Sequence, residues 1–148
     1  MIGYGIAEDR RGLLDWSWAR QRLERAHNYF LATTCPDGRP HLMPIWGVWL
    51  HDAFYFSTGR ASRKARNLAA NPACVITAEN AAEAVIVEGV AQEVGAAAFR
   101  KAGGPYKKKY GWKLDPALGP LFLVRPTKAF GFIEKDELFT KTATRWEF

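Results

Sequence analysis

The chain has 148 residues, is 48% hydrophobic and 24% charged, and carries a formal net charge of +6. That length fits one globular domain, and its apolar runs are far too short to cross a bilayer. The positive balance favours anionic partners: nucleic acid, an acidic membrane surface or a phosphorylated ligand.

The segment Met1 to Asp15 mixes Gly, Asp, Glu and Arg and does not read as a signal peptide. Asp15 is a natural cap for a helix running through Trp16 to about Ala26, with Trp16, Ala19, Leu23, Ala26 and Phe30 at helical spacing. Residues 1–28 are therefore expected as an N-terminal helical segment and 29–148 as the remainder of a single domain. Tyr29 to Thr34 reads as a strand, and Pro36-Asp37-Gly38 as a turn. His41 to Leu50 reads as one long strand, with Pro44 marking an edge or a bulge. His51-Asp52 is a tight hairpin connection into a strand from Ala53 to Thr58.

A helix then starts at Ser62 and stops at Pro72. Ala73 to Ala78 and Ala84 to Val94 read as further strands, with Gly89 suggesting a bulge. Ala96 to Ala102 reads as a short helix broken by Gly103-Gly104-Pro105, and Lys107-Lys108-Lys109 as a solvated loop or a landing site for an acidic ligand tail. Leu121 to Arg125, Lys128 to Ile133 and Thr140 to Phe148 read as late strands. Short strands at regular spacing with few helices predict a mainly β protein, an antiparallel barrel with flanking helices.

One segment departs from ordinary helix design. Arg60, Arg63, Lys64 and Arg66 crowd the N-terminus of the helix capped by Ser62. The helix dipole is positive there, so each exposed cation costs about 0.3–1 kcal/mol. A bound anion removes that cost, because the free N–H groups, the Ser62 hydroxyl and the basic side chains can all serve it. Ser57 and Thr58 add two hydroxyls just upstream. The residues predict a phosphate site, but not a P-loop or a dinucleotide fold, whose glycine patterns are missing. Cys35 and Cys74 form no C-x-x-C pair, and no Cys/His cluster has metal-ligand spacing. Reduced thiols, a cytoplasmic protein and no metal are expected. His27, His41 and His51 are scattered and suggest no triad.

Phe56-Ser57-Thr58, Ser62-Arg63-Lys64-Ala65-Arg66-Asn67-Leu68 and Asn71-Pro72 resemble the pyridoxamine 5′-phosphate oxidase-like, FMN-binding split-barrel family. Pro36 to His41, Pro44-Ile45-Trp46 and Val85 to Ala91 extend the resemblance. It implies a split β-barrel and a homodimer with FMN between the subunits. By position, Ser62, Arg63 and Lys64 would hold the phosphate, with Arg60 beside them. Ser57 and Thr58 would face the phosphate or ribityl chain, and Pro44, Ile45 and Trp46 the isoalloxazine ring. Arg145 and Trp146 would reach a cofactor across the dimer or pack as a terminal strand. Trp46 and Ala84 stand where the vitamin-B6 oxidases carry a basic residue and a Gln, so oxidation of pyridoxamine phosphate is not the expected reaction. The ending Thr142 to Phe148 resembles relatives of which some use coenzyme F420, a deazaflavin with an acidic tail.

The resemblance thus implies a flavin-dependent oxidoreductase acting on a small-molecule substrate. A coenzyme F420-dependent reductase and a non-catalytic flavin- or haem-binding module are the alternatives. A nucleic-acid-binding barrel, suggested only by charge, is disfavoured. No catalytic acid or base is expected, since a flavin carries the electrons and hydride itself.

Overall fold

The structure, a computed structural model, describes residues 11–148. The sequence reading of the first ten residues lies outside the described part.

Helix α1 (Trp16–Arg25) is capped by Asp15, whose side chain accepts from the Ser17 N–H. It is followed by β1 (Tyr29–Thr34), β2 (Pro40–Ile45), β3 (Val48–Leu50), β4 (Ala53–Ser57) and α2 (Arg63–Ala70). Next come β5 (Ala73–Ala78), β6 (Glu83–Val94), α3 (Ala96–Tyr110), β7 (Leu121–Ile133), α4 (Leu138–Thr142) and β8 (Thr144–Glu147). The strands form one sheet in the order β2-β1-β5-β6-β7-β4-β3, with β8 also on β7, and every described pair is antiparallel. No described helix is long and apolar enough to cross a membrane.

The curl of this sheet follows from chain connectivity. Seven flat strands would span about 29 Å. Yet the edge strands β2 and β3 are joined only by Trp46 and Gly47, which bridge at most about 11 Å. The two edges must therefore come together, and the sheet rolls into a half-barrel. No ladder closes it: β2 pairs with β1, β3 pairs with β4, and the barrel stays split between β2 and β4. The expected strand from His41 to Leu50 is thus two strands that share a direction and part at Trp46-Gly47. Pro44 lies on the edge strand β2, as its missing N–H requires.

The inner core contains Tyr29, Leu31, Ile45, Phe54, Phe56, Ile76, Val85, Val87 and Val124, with Ala19 and Leu23 from α1 and Ala65 and Leu68 from α2. On the outside, α3 covers Val48, Tyr55, Leu121 and Leu123 with Ala102 and Tyr106. β4 is buried on both faces, which explains its unbroken apolar run Ala53 to Phe56.

Three further element boundaries differ from the sequence reading. Helix α3 runs through Gly103-Gly104-Pro105 to Tyr110 and stops at Gly111 in the left-handed conformation. Burial of Ala102 and Tyr106 on the sheet outweighs the local helix-breaking signal. Strand β7 is continuous across Pro126 because the β6–β7 register shifts at Glu88/Gly89, which sets Gly89 opposite the proline. This is the bulge that Gly89 suggested; a Cβ there would lie 2.6 Å from the Arg125 carbonyl oxygen. The terminal strand is shorter than expected, since Leu138–Thr142 is helical. The buried Thr142 hydroxyl donates to the Leu138 carbonyl at 2.6 Å and accepts from the Ile133 N–H at 2.9 Å, which stabilises the turn.

Gly47 leaves no room for a side chain. A Cβ on it would lie 2.2 Å from Cζ of Phe54. Gly47→Ala is expected to lower stability by about 1–3 kcal/mol, the usual cost of overpacking. Urea unfolding followed by circular dichroism measures it, and an unchanged midpoint would show that the ring moves aside freely.

Candidate functional site

The split between β2 and β4 collects most of the residues singled out in the sequence. Val48 pairs with Tyr55. Continued by two residues, that register would set Trp46 opposite Ser57. Instead β2 departs toward β1, and the chain after β4 turns into α2. The split between them has Pro44, Ile45 and Trp46 along one margin. Ser57, Thr58 and the start of α2 lie on the other.

Helix α2 carries the residues expected to bind an anion. Ser62 caps it, accepting from the Ala65 N–H at 3.2 Å, and its hydroxyl lies 3.2 Å from that of Thr58. Two hydroxyls sharing one bond leave one hydroxyl proton free to donate. The N–H groups of Arg63 and Lys64, in the first turn, have no intrahelical acceptor. The Ser57 hydroxyl donates to the Pro120 carbonyl at 2.9 Å, so toward a ligand it serves as an acceptor. Asn67, fully buried, donates to the Thr33 hydroxyl at 3.0 Å and ties α2 to β1. Thr33 pairs with His41, so α2 sits beside the Pro40 end of β2.

The basic cluster is smaller than its sequence suggests. Arg60 makes a two-point ion pair with Glu93, at 2.6 and 3.3 Å. That pairing raises the Arg60 pKa and lowers that of Glu93. Glu93 lies 33 residues away on β6, and only the fold reveals the pairing. Arg63, Lys64 and Arg66 have no carboxylate within ion-pair distance among the described residues, so the electrostatic conflict at the helix start persists with three cations rather than four.

The aromatic side is built around Trp46. Its ring is 41% exposed and stacks on Tyr110, with centroids 4.6 Å apart and planes within 7°. Ile45 turns its side chain into the core, so only its backbone faces the groove. Trp49 is buried in the inner core. Arg145 and Trp146 diverge, as alternate strand residues do. Trp146 packs inward against Trp16 at 5.3 Å, whereas Arg145 is exposed, lies 3.4 Å from Glu147 and lines a cleft of about 580 Å³ on the outer face.

Gly119, Gly47 and Tyr110 were not singled out in the sequence, and Lys109 only as part of a basic run. Gly119 packs so tightly on the Thr58 carbonyl that a Cβ would lie 2.1 Å away, which pins the strand-to-helix junction. Gly47, Lys109 and Tyr110 form the support behind Trp46. Lys107 to Lys109 are not a loop but the last turn of α3, where cations suit the helix dipole. They also lie at the Trp46 end of the groove, away from α2, so their position gives no support to docking of an acidic tail beyond the phosphate. Lys109 points inward, where burial lowers its pKa to about 8 while Glu79 opposes the shift. Burial raises the Tyr29 pKa, and it raises that of Tyr110 to about 12. Cys35 and Cys74 are free and buried, and burial lifts the Cys74 thiol to about 12. No group of three or more His, Cys, Asp or Glu side chains among the described residues could hold a metal ion.

The strand order and the unpaired margin between β2 and β4 define a split-barrel protein. The profile of the pyridoxamine 5′-phosphate oxidase family matches residues 18–133, and the chain belongs to that family. Among solved structures, an F420 reductase is 27% identical, with a TM-score of 0.61 over 74% of this chain and 94% of that one. A conserved hypothetical protein from Mycobacterium tuberculosis is 20% identical, with a TM-score of 0.72 over 82% and 86% of the two chains. The heme storage protein HutZ from Vibrio cholerae is 20% identical, with a TM-score of 0.62 over 75% and 87%. No curated protein sequence matches the chain significantly.

The buried amine gives stability a definite pH dependence. Lys109 has a folded-state pKa of about 8 against 10.5 for an ordinary lysine, so between these values the unfolded chain binds more protons. Its contribution therefore rises with pH through that window. Above about 10 the tyrosines of the unfolded chain ionise while Tyr29 and Tyr110 resist, and stability falls again. Relative to Lys109→Met, the parent should gain stability from pH 7.5 to about pH 10, read from urea midpoints. Parallel curves for the two proteins would contradict the assignment.

Proposed function

We propose that the protein is a flavin- or deazaflavin-dependent oxidoreductase that binds FMN, or coenzyme F420, along the groove between β2 and β4. The observation that carries this reading is the pairing of an α2 N-terminus rich in uncommitted donors with an exposed indole across the split. Lys64 and Arg63, the free proton of the Thr58–Ser62 pair and two backbone N–H groups suit a phosphate monoester or diester. Pro44, the Ile45 backbone and Trp46 form a flat wall suited to a tricyclic ring. Ser57 accepts from a ribityl hydroxyl, and Arg60 acts at longer range because Glu93 holds it.

The cofactor supplies hydride and electron transfer when bound. The chain's residues bind its phosphate, orient its ring and keep water from one ring face. The F420 reading draws support from the F420 reductase at 27% identity, and the haem-module reading from the resemblance to a heme storage fold. Absorption of the purified or reconstituted protein separates them. Flavin gives two bands, deazaflavin one, and haem an intense Soret band.

The outer face suggests a homodimer. Pro44, Phe30, Thr77, Ile86, Phe130 and Arg145 lie in one cross-strand row. Its apolar members, beside exposed Leu42, present a surface suited to a second copy, and Arg145 would then meet the partner's cofactor.

Two outcomes are expected. Lys64→Ala should weaken FMN binding by about 1.5–3 kcal/mol, roughly tenfold or more, and leave riboflavin affinity nearly unchanged; fluorescence titration reads both. Equal affinities of parent and variant for FMN would remove the phosphate assignment. Light scattering at micromolar concentration should give a dimer mass for the parent and a monomer mass for Phe130→Asp. A monomeric parent would remove the dimer.

A further inference from the structure

Behind the Trp46 wall lies a chain of hydrogen bonds whose protons can be assigned. The Tyr29 hydroxyl donates to the Leu23 carbonyl at the end of α1 and accepts from Lys109 Nζ. The same ammonium donates to the Gly47 carbonyl at 2.9 Å. The Gly47 N–H donates to the Tyr110 oxygen at 3.0 Å. That oxygen lies 2.7 Å from the His27 carbonyl and 2.9 Å from the Gly47 carbonyl. A phenol has one proton and can serve only one of them. With His27 the shorter contact, Lys109 is the donor left for Gly47. The chain links the end of α1, β1, the β2–β3 junction and the end of α3.

Phe54 fills the space on the Cβ side of Gly47. Trp46, one residue back, rests on the Tyr110 ring that the same chain fixes. We propose that Lys109 is a positioning residue of the cofactor groove: its ammonium, acting through Gly47, sets the Trp46 wall against which the flavin or deazaflavin ring lies. The inference rests on the cofactor reading above and adds a residue outside the groove. Lys109 touches Gly47 and Tyr29 and sits within 4.6 Å of the Tyr29 ring centre and 5.1 Å of that of Tyr110. Glu79 acts on it electrostatically, and Glu24, Arg25 and Lys108 share the outer cleft that it lines. A lysine that merely stabilised the fold would change the melting temperature and leave the affinity of the folded protein alone.

The test compares the parent, Lys109→Met, Lys109→Arg and Tyr110→Phe under conditions where each is folded by far-ultraviolet circular dichroism. Near-ultraviolet dichroism of the ligand-free proteins reports the Trp46–Tyr110 stack. Titration with riboflavin and with FMN reports the ring and phosphate parts of the site. Lys109→Met should alter the near-ultraviolet band and weaken both ligands by the same factor, about tenfold for one lost hydrogen bond. Lys109→Arg should recover most of that loss. Riboflavin binding to folded Lys109→Met at parental affinity would overturn the proposal. If that variant does not fold, Tyr110→Phe, which keeps the ring and loses the acceptor for the Gly47 N–H, decides in its place. Weaker riboflavin binding supports the role, and parental binding overturns it. A parent that binds neither flavin nor coenzyme F420 would mark failure of the cofactor reading itself, and the inference would fall with it.

Discussion

Everything in the site depends on how the chain passes Gly47. One strand direction serves both edges of the sheet, pairing with β1 before Trp46 and with β4 after Gly47. The crossing peptide presses against the Phe54 ring, and a side chain there would overlap it. Because both carbonyl and N–H of Gly47 turn toward α3, neither is available to close the split with β4. The groove is a consequence of that commitment: a barrel that cannot complete its ladder leaves two unpaired margins.

The two margins have different chemistry for local reasons. On the β4 side the chain enters a helix, and a helix start exposes donors that no carbonyl can reach. Ser62 spends its acceptor capacity on the cap, which leaves cations and N–H groups to an outside anion. On the β2 side, Trp46 is held flat against Tyr110. The proposed phosphate end is therefore set by secondary structure and the proposed ring end by tertiary packing. Gly119 and Pro120 brace the first, through contacts to Thr58 and Ser57. Lys109 and Tyr110 brace the second.

Local structure also shows where charge is spent. Of four cations around the start of α2, Arg60 is engaged by Glu93 on a neighbouring strand, whereas Arg63, Lys64 and Arg66 are not. In α3 three lysines sit where the helix dipole favours them, yet Lys109 turns inward and gives up solvation to satisfy two oxygens. Similar residues thus stay without a carboxylate partner at one helix end and act as internal struts at another.

Much of this was legible in the linear chain. Alternating strands, the Ser62 cap, the turn at His51-Asp52 and the bulge at Gly89 all depend on neighbours within a few residues, where backbone geometry and side-chain type suffice. The misplaced cations at α2 were visible for the same reason, and they pointed to an anion site. Other features required distant partners. The passage of α3 through Gly103-Gly104-Pro105 depends on burial against β3, β4 and β7. The neutralisation of Arg60 depends on β6, and the inward turn of Trp146 depends on α1. The split of one expected strand at Trp46-Gly47 depends on Phe54 and Lys109. Short-range rules give each residue its preference, but the partners that override it are brought near only when the sheet curls.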